Sequence, residues 1–524
     1  MFFLTTAIDY TNGSPHIGHA YEKILTDVIA RYRRLRGTEV YFLTGVDQHG
    51  QKVQQTAEKE GVPPEEFVKR TTENFSALWE KLQVHYDGWA ETTDERHKAC
   101  VRAILSELKD QGQLYKKAHS GSYSVRQEQF LQERDRDESG NFGPEWGEVI
   151  EIEEENWYFK LSDHTGWLRN FLETTPEIII PSFRKSELLN ALEKNSGIDL
   201  CISRPKERLR WGIEFPFDEN YVTYVWFDAL INYISFAGYK AAEGTNLPDF
   251  EKLWPADSRP VHVIGKDILI PAHGVYWFCM LHAMGFSDAQ MPKLLVHGFW
   301  NGLGGDKMSK STGNIVDPNE LAEKFGVEAL RYYLVRDIVT GRDANFDVNR
   351  LVMLFNTELA NEFGNLCNRA LNMSQRFTAG CLHSSGSLTD DELALQKSLA
   401  DCTTAYQTAM DEFDISKGLE ALNRHVVHCN QYAEQMKPWE LNKDPENKVR
   451  VATVLYHFAE SVAHIAVLIS PILPEITAKL AEQLNLPDLT RFQLTDLRWG
   501  LLPDGHTIGQ PKPVFPRIVV EAPK

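Results

Sequence analysis

Seven cysteines in 524 residues, at positions 100, 201, 279, 367, 381, 402 and 429, are odd in number and form no Cys-x-x-Cys pair. That scatter argues against a disulfide framework and against a thiolate zinc site, and it suits a reducing cytoplasm. Positive charge is also short: 55 Lys and Arg face 74 Asp and Glu, a formal net charge of −19. A nucleic acid or anionic lipid held through global charge alone does not fit that balance. No run of about 20 apolar residues is free of charge, so no membrane-spanning helix and no membrane partner are expected. The apolar run 1–8 is too short for a secretory leader and lacks a basic start. Repeats and low-complexity tracts are missing as well.

What is present is core material. Hydrophobic residues make up 42% of the chain, with 12 Trp, 18 Tyr and 27 Phe, enough to exclude disorder as the dominant state. At about 100–200 residues per domain the length predicts three or four domains. Phe2–Ile8 reads as a strand, and Asn12-Gly13-Ser14-Pro15 reads as a turn. Ile17, Ala20, Tyr21, Ile24, Leu25, Val28, Ile29, Tyr32 and Leu35 then recur at helical spacing, closed by Arg31, Arg33, Arg34, Arg36 and Gly37. A second strand, Glu39–Leu43, follows, and strand–helix–strand implies a parallel sheet with a right-handed crossover.

From about 115 to 165 the pattern weakens into a polar insertion with six acids between Glu145 and Glu155, either a solvated face or a divalent-metal site. Alternation resumes with a strand at Val222–Phe227, one at Val261–Ile264, a helix at Trp277–Met284 and a strand at Leu294–Phe299. After about 350 amphipathic helices take over, at Leu351–Met373, Asp391–Glu412, Ile415–Gln435 and Val449–Ser470.

Two short constellations carry chemistry. His16-Ile17-Gly18-His19 falls where the first turn enters its helix. Free backbone N–H groups and the positive dipole end favour phosphate there, and imidazoles three apart share a helix face. Two surface histidines at a helix start are the plainer alternative. The second is Lys307-Met308-Ser309-Lys310-Ser311, flanked by Gly302, Gly304, Gly305 and Gly313. Two lysines on a mobile loop can neutralise a leaving pyrophosphate, or can simply be solvated surface.

Together these motifs are the double signature of the class I aminoacyl-tRNA synthetases, and the whole chain resembles the methionyl-tRNA synthetase family in its bacterial form. Supporting blocks are Ala7–Gly13, Phe42–Gly50, Tyr224–Ala229, Ile264–Ile268, Val296–Phe299, Asn365–Arg369 and Lys437–Trp439. The resemblance implies an α/β fold: a Rossmann-type parallel-sheet catalytic domain (residues 1–115 and 211–325) split by a connective insert (116–210). A stem-contact linker (326–355) and an all-α anticodon-binding bundle (356–524) would follow. It further implies methionine activation by ATP with Mg²⁺, then transfer to tRNA(Met), in a cytoplasmic monomer.

By the same resemblance Asp47 pairs with the substrate ammonium, and Ala7, Ile8, Tyr10, Trp226, Ala229, Leu230, Tyr233, Ile268 and His273 make the thioether pocket. Read singly, Trp226 and Tyr233 are equally core residues. His16, His19, Gly265, Asp267, His297, Gly298 and Lys310 are implied to hold ATP, with Lys307 and Arg204 assisting catalysis. Asn365, Arg369 and Trp439 are implied to read the anticodon, by edge hydrogen bonds and stacking.

The departures are informative. No cysteine lies between 100 and 201, so the insert has no zinc knuckle; no zinc is expected, and packing around Tyr123, Phe130, Trp146, Trp157 and Tyr158 must hold it. Between Asp267 and Met280 the chain is one residue longer than the family's usual pattern. Isoleucyl, leucyl and valyl enzymes need an editing insert for which this chain is too short. A cysteinyl enzyme would need thiolate-bound zinc, and a simple nucleotidylyltransferase leaves the helical third unexplained. A silent tRNA-binding paralogue remains the alternative of a different class. Confining basic groups to a narrow stripe, including Arg204–Arg210 and Arg369, reconciles an acidic chain with tRNA.

Overall fold

The computed structural model describes residues 1–519 except 126–128, 132, 138, 196, 303–315 and 385–386. Its first unit is strand β1 (Phe2–Thr6), helix α1 (Ile17–Leu35), strand β2 (Val40–Asp47) and strand β3 (Gly88–Glu91). An antiparallel hairpin of β4 (Leu114–Ser124) and β5 (Val149–Phe159) follows, then β6 (Ile179–Ile180), β7 (Asp218–Thr223), α2 (Val225–Leu230), β8 (Val261–Gly265) and β9 (Lys293–His297).

The main sheet is parallel and runs β3–β2–β1–β8–β9–β6, with the short strand Asp9–Tyr10 continuing the line of β1 beside the end of β2. Its central strands are buried on both faces, which is why β1 reads as a continuous apolar run and not as an alternation. Strand order reverses at β1, with β2 on one side and β8 on the other. A crevice therefore opens above the carboxyl ends of β1 and β8, where open α/β sheets bind ligands.

The arginines that close α1 are engaged in ion pairs: Arg31 with Asp27 at 2.8 Å, Arg34 with Asp87 at 2.7 Å and Arg36 with Asp411 at 3.1 Å. Gly37 reverses the chain with φ +78°, a conformation other residues rarely adopt.

In the insert, β4 and β5 pair from Leu114 opposite Phe159 to Ser124 opposite Val149. The acids of β5 are partners of neighbouring side chains: Glu155 with Lys116 at 3.2 Å, Glu154 with Arg208 at 2.7 Å and Glu151 with the Ser122 hydroxyl. These three pairings fit the charged-face reading. Tyr123 is fully buried, Tyr158 nearly so, Trp157 packs on Phe215 and Phe217, and Trp146 is half-buried. The Phe130 side chain lies outside the described set.

One expected strand is not there. Val222–Phe227 divides at Tyr224: β7 ends at Thr223 in a small antiparallel sheet, and α2 begins at Val225. The Tyr224 carbonyl accepts from Phe227 and Asp228 N–H, and two histidines draw the Asp228 carboxylate inward, so helical turns replace the strand.

The C-terminal third is helical as expected: α3 (Val327–Arg336), α4 (Gly364–Thr378), α5 (Asp390–Asp411), α6 (Ile415–Met436) and α7 (Lys448–Ile469). A wide-turn helix, Phe355–Phe363, joins Val348–Leu354 to α4. The segment Pro445–Ile469 is long and apolar enough to cross a membrane, but it carries Lys448, Arg450 and Glu460, and 94% of its most apolar window is buried in the bundle. It is a core helix, and one continuous core joins it to α1 and α4.

Candidate active site

The crevice above β1 and β8 holds a cavity of about 400 Å³. One end is the start of α1. His16 caps the helix: its Nδ1 accepts from Gly18 N–H at 3.1 Å, while His16 N–H donates to His19 Nδ1 at 3.2 Å. The two rings stack at 3.8 Å. Because each Nδ1 accepts, a neutral ring carries its proton on Nε2, and both histidines line the cavity. A Cβ at Gly18 would stand 2.9 Å from the His16 ring, so a side chain there would displace the ring from its capping position.

The other end is aromatic and uncharged. Tyr233 donates to His273 Nε2 at 2.8 Å, and His273 Nδ1 donates to the Ile268 carbonyl at 3.0 Å, which fixes the tautomer. Burial pushes His273 down to about 4, so this imidazole is neutral. Beneath it the Tyr233 ring stacks on His262 at 4.1 Å, another histidine that burial holds well below its ordinary value. Trp226, Ala229, Leu230, Ile8 and Ile268 complete the wall. The segment Leu269–Trp277 is helical with a kink at Ile270, where the backbone is extended, and His273 within it lines the cavity.

Asp47, at the end of β2, stands on the rim between these ends and is 7% exposed. His49 N–H approaches its Oδ1 at 3.4 Å. Behind it lies a buried relay: His49 Nδ1 to Asp228 Oδ2 at 2.7 Å, Asp228 Oδ1 to His97 Nε2 at 2.7 Å, and His97 Nδ1 to Ser235 Oγ at 2.8 Å. Burial raises the Asp228 carboxyl, but His49 and His97 outweigh it and hold it down at about 2. Asp228 thus ties the turn carrying Asp47 to the helix carrying Trp226 and Ala229.

Gly265 ends β8 and Asp267 follows it, while His297 ends β9 and Gly298 follows it. A Cβ on Gly298 would lie 2.1 Å from the Arg342 carbonyl, so only glycine allows this approach.

Every residue expected to bind methionine therefore lines the cavity, as do His16, His19, Gly265, Asp267, His297 and Gly298. Arg204 does not. It is 3% exposed, donates to the Ser203 carbonyl at 2.7 Å and lies over the Tyr224 ring at 4.3 Å, one layer behind the wall. Arg208 lies over Tyr123 and pairs with Glu154, and Lys206 pairs with Glu214, so of the basic residues in Arg204–Arg210 Arg210 is the exposed one. Lys307 and Lys310 lie outside the described residues.

On the helical domain Asn365 and Arg369 sit one turn apart on α4, Asn365 exposed. The Arg369 guanidinium lies 5.0 Å from the Trp439 ring and pairs with Glu434 at 2.8 Å.

Sequence reasoning missed Asp9, Glu22, Lys23, His49, His97 and Asp228. Two of them, Glu22 and Lys23, lie on α1, whose buried positions run all round the helix.

The family "tRNA synthetases class I (M)" matches residues 2–139 and 146–371, and "Anticodon binding domain of methionyl tRNA ligase" matches 382–523. A methionine–tRNA ligase of Rhizobium meliloti is 40% identical, covering 99% of this chain and 98% of its own length. One from Fusobacterium nucleatum is 37% identical, over 99% and 80%. A Mycobacterium tuberculosis methionyl-tRNA synthetase solved with methionyl-adenylate superimposes with a TM-score of 0.89 at 35% identity, covering 98% of this chain and 99% of that one. With full-length relatives and both family domains in order, the chain belongs to the methionyl-tRNA synthetase family of class I aminoacyl-tRNA synthetases.

Proposed function

We infer that this chain activates L-methionine with ATP to methionyl-adenylate and pyrophosphate, then transfers methionine to the terminal adenosine of tRNA(Met). The observation that carries the reading is a single cavity with N–H donors at a helix N-terminus at one end and an uncharged aromatic chamber at the other. The chamber suits a thioether: sulfur at aromatic edges contributes about 0.3–1.5 kcal/mol per contact.

Asp47 takes the ammonium from the rim, which points the substrate carboxylate toward the helix end. His16 and His19 take the phosphates through Nε2–H, aided by the dipole of α1. Asp267 takes the ribose, and the His297–Gly298 segment lies against adenine. The substrate carboxylate attacks the α-phosphorus in line, so no protein nucleophile is required; the protein contributes alignment and charge stabilisation. Lys310, with Lys307, stabilises the leaving pyrophosphate, and Arg204 acts from the second layer through Tyr224.

The donors at the phosphate end are imidazole N–H groups, which cannot ligate a cation while they donate. Mg²⁺ would accompany the nucleotide and would supply neutralisation of phosphate charge. Residues 1–115 and 211–325 carry this chemistry around the insert 116–210, with 326–355 as linker; 356–524 read the anticodon through Asn365, Arg369 and Trp439. Seven cysteines without a disulfide suit a reducing cytoplasm.

Charging of a tRNA(Met) transcript by the purified chain tests the reading. ATP-dependent incorporation of labelled methionine is expected; adenylate formation without charging would contradict the second step.

A further inference from the structure

Beneath the cavity lies a lysine that the two-step reaction does not use. Lys23 is 0% exposed on α1 and donates to three oxygens: the Ala7 carbonyl at 3.0 Å, Asp9 Oδ1 at 2.9 Å and Glu22 Oε1 at 2.8 Å. An ammonium has three protons, so this set is complete. Glu22 turns its other oxygen to His297 Nε2 at 3.1 Å, and His297 Nδ1 donates to the Gly298 carbonyl at 2.8 Å. The chain of contacts crosses the whole floor, from Ala7 on the amino-acid side to Gly298 on the nucleotide side. Ala7, Asp9, Glu22, His297 and Gly298 all face the cavity, and Lys23 lies behind them.

Taking a lysine and two carboxylates out of water is a poor way to pack a core, which an apolar side chain would fill better. We propose that Lys23 is a positioning residue for adenylate formation, holding the Ala7 carbonyl and the Glu22 carboxylate in register so that the two halves of the cavity are aligned before substrates bind. The proposal rests on the synthetase reading above.

The titratable groups facing Lys23 are Asp9 and Glu22, with His297 one contact further on. The Trp79 ring lies 5.7 Å from its ammonium, and Tyr233 and His273 sense Glu22 from the opposite wall. Burial raises both carboxyls. For Glu22 the pull of Lys23 and His297 prevails, whereas Asp9 remains raised, at about 7, and is the member poised to take a proton. Without the ammonium, Asp9 and Glu22 would repel until one is neutralised.

The test is methionine-dependent ATP–pyrophosphate exchange from pH 6 to 9 for wild type, Lys23→Met, Lys23→Arg and the double variant Lys23→Met/Asp9→Asn. Lys23→Met should raise KM for both ATP and methionine roughly tenfold or more at pH 9. The defect should shrink toward pH 6, where a proton replaces the lost charge, and the double variant should recover part of it at every pH. Unchanged KM values in Lys23→Met, or an equal loss at all pH without recovery in the double variant, would overturn the proposal. If Lys23→Met does not fold, Lys23→Arg carries the test, since it keeps the charge but not the three-way geometry; a wild-type KM there is the overturning result. Wild type that shows no exchange would instead sink the synthetase reading.

Discussion

His16 both caps α1 and faces the cavity, and its replacements separate the two roles. His16→Asn retains a capping oxygen, so its thermal midpoint should stay near wild type while kcat for pyrophosphate exchange falls by about 10²–10³. His16→Ala should show the same loss of rate and an additional destabilisation of about 1 kcal/mol, read by urea unfolding. Asp228 gives a second residue-scale expectation. Its carboxyl is held at about 2 against an ordinary 3.8. A carboxyl depressed by folding contributes stability that is present above its ordinary value and lost as pH falls through the folded one. Wild type should therefore exceed Asp228→Asn by up to about 2 kcal/mol above pH 4, with the gap closing between pH 4 and 2 in urea titrations. The His16–His19 motif was legible in the sequence because its chemistry is local, two rings on one turn. The relay His97–Asp228–His49 was not: its members are 131 and 179 residues apart in the two hydrogen bonds and meet only in the fold.

Among the elements, α3 carries the joint between the catalytic sheet and the helical bundle. Arg331 is fully buried and donates to Asp27 Oδ2 at 2.7 Å, the Ile472 carbonyl at 2.9 Å, the Leu82 carbonyl at 3.0 Å and the Pro471 carbonyl at 3.2 Å. Burial raises the Asp27 carboxyl, but Arg331 and Arg31 hold it below its ordinary range. Arg331→Met leaves Asp27 with Arg31 and the His85 N–H but takes the donor from three buried carbonyls, and should cost about 1–3 kcal/mol in chemical unfolding. A loss under 1 kcal/mol would show that the joint is held by apolar packing alone. Helices α5, α6 and α7 were readable to within a residue or so at their ends because each buries a long apolar stripe. Strand β7 was misjudged because Val222–Phe227 is apolar throughout, and an apolar run does not reveal whether it pairs or coils. The side-chain contacts that turn it at Tyr224 come from 131 and more residues away.

For the whole molecule, a net charge of −19 requires that tRNA be held by local contacts. The α1 arginines are paired within the chain and Arg204 is buried, while the Arg369–Trp439 contact, proposed above to read the anticodon, lies far along the chain from the cavity. Base stacking on an aromatic ring is worth about 1–3 kcal/mol, so Trp439→Ala should lower kcat/KM for tRNA roughly five- to 150-fold. Pyrophosphate exchange should be unchanged in the same variant; equal loss in both assays would refute the division of labour between the two regions.

The central claim is that one cavity joins a methionine-selective chamber to a nucleotide site. Its most direct test is ATP–pyrophosphate exchange measured with each of the twenty amino acids. Exchange stimulated by methionine above all others is the predicted result. Exchange driven by isoleucine, leucine or valine in preference to methionine, or none with any amino acid, would contradict it.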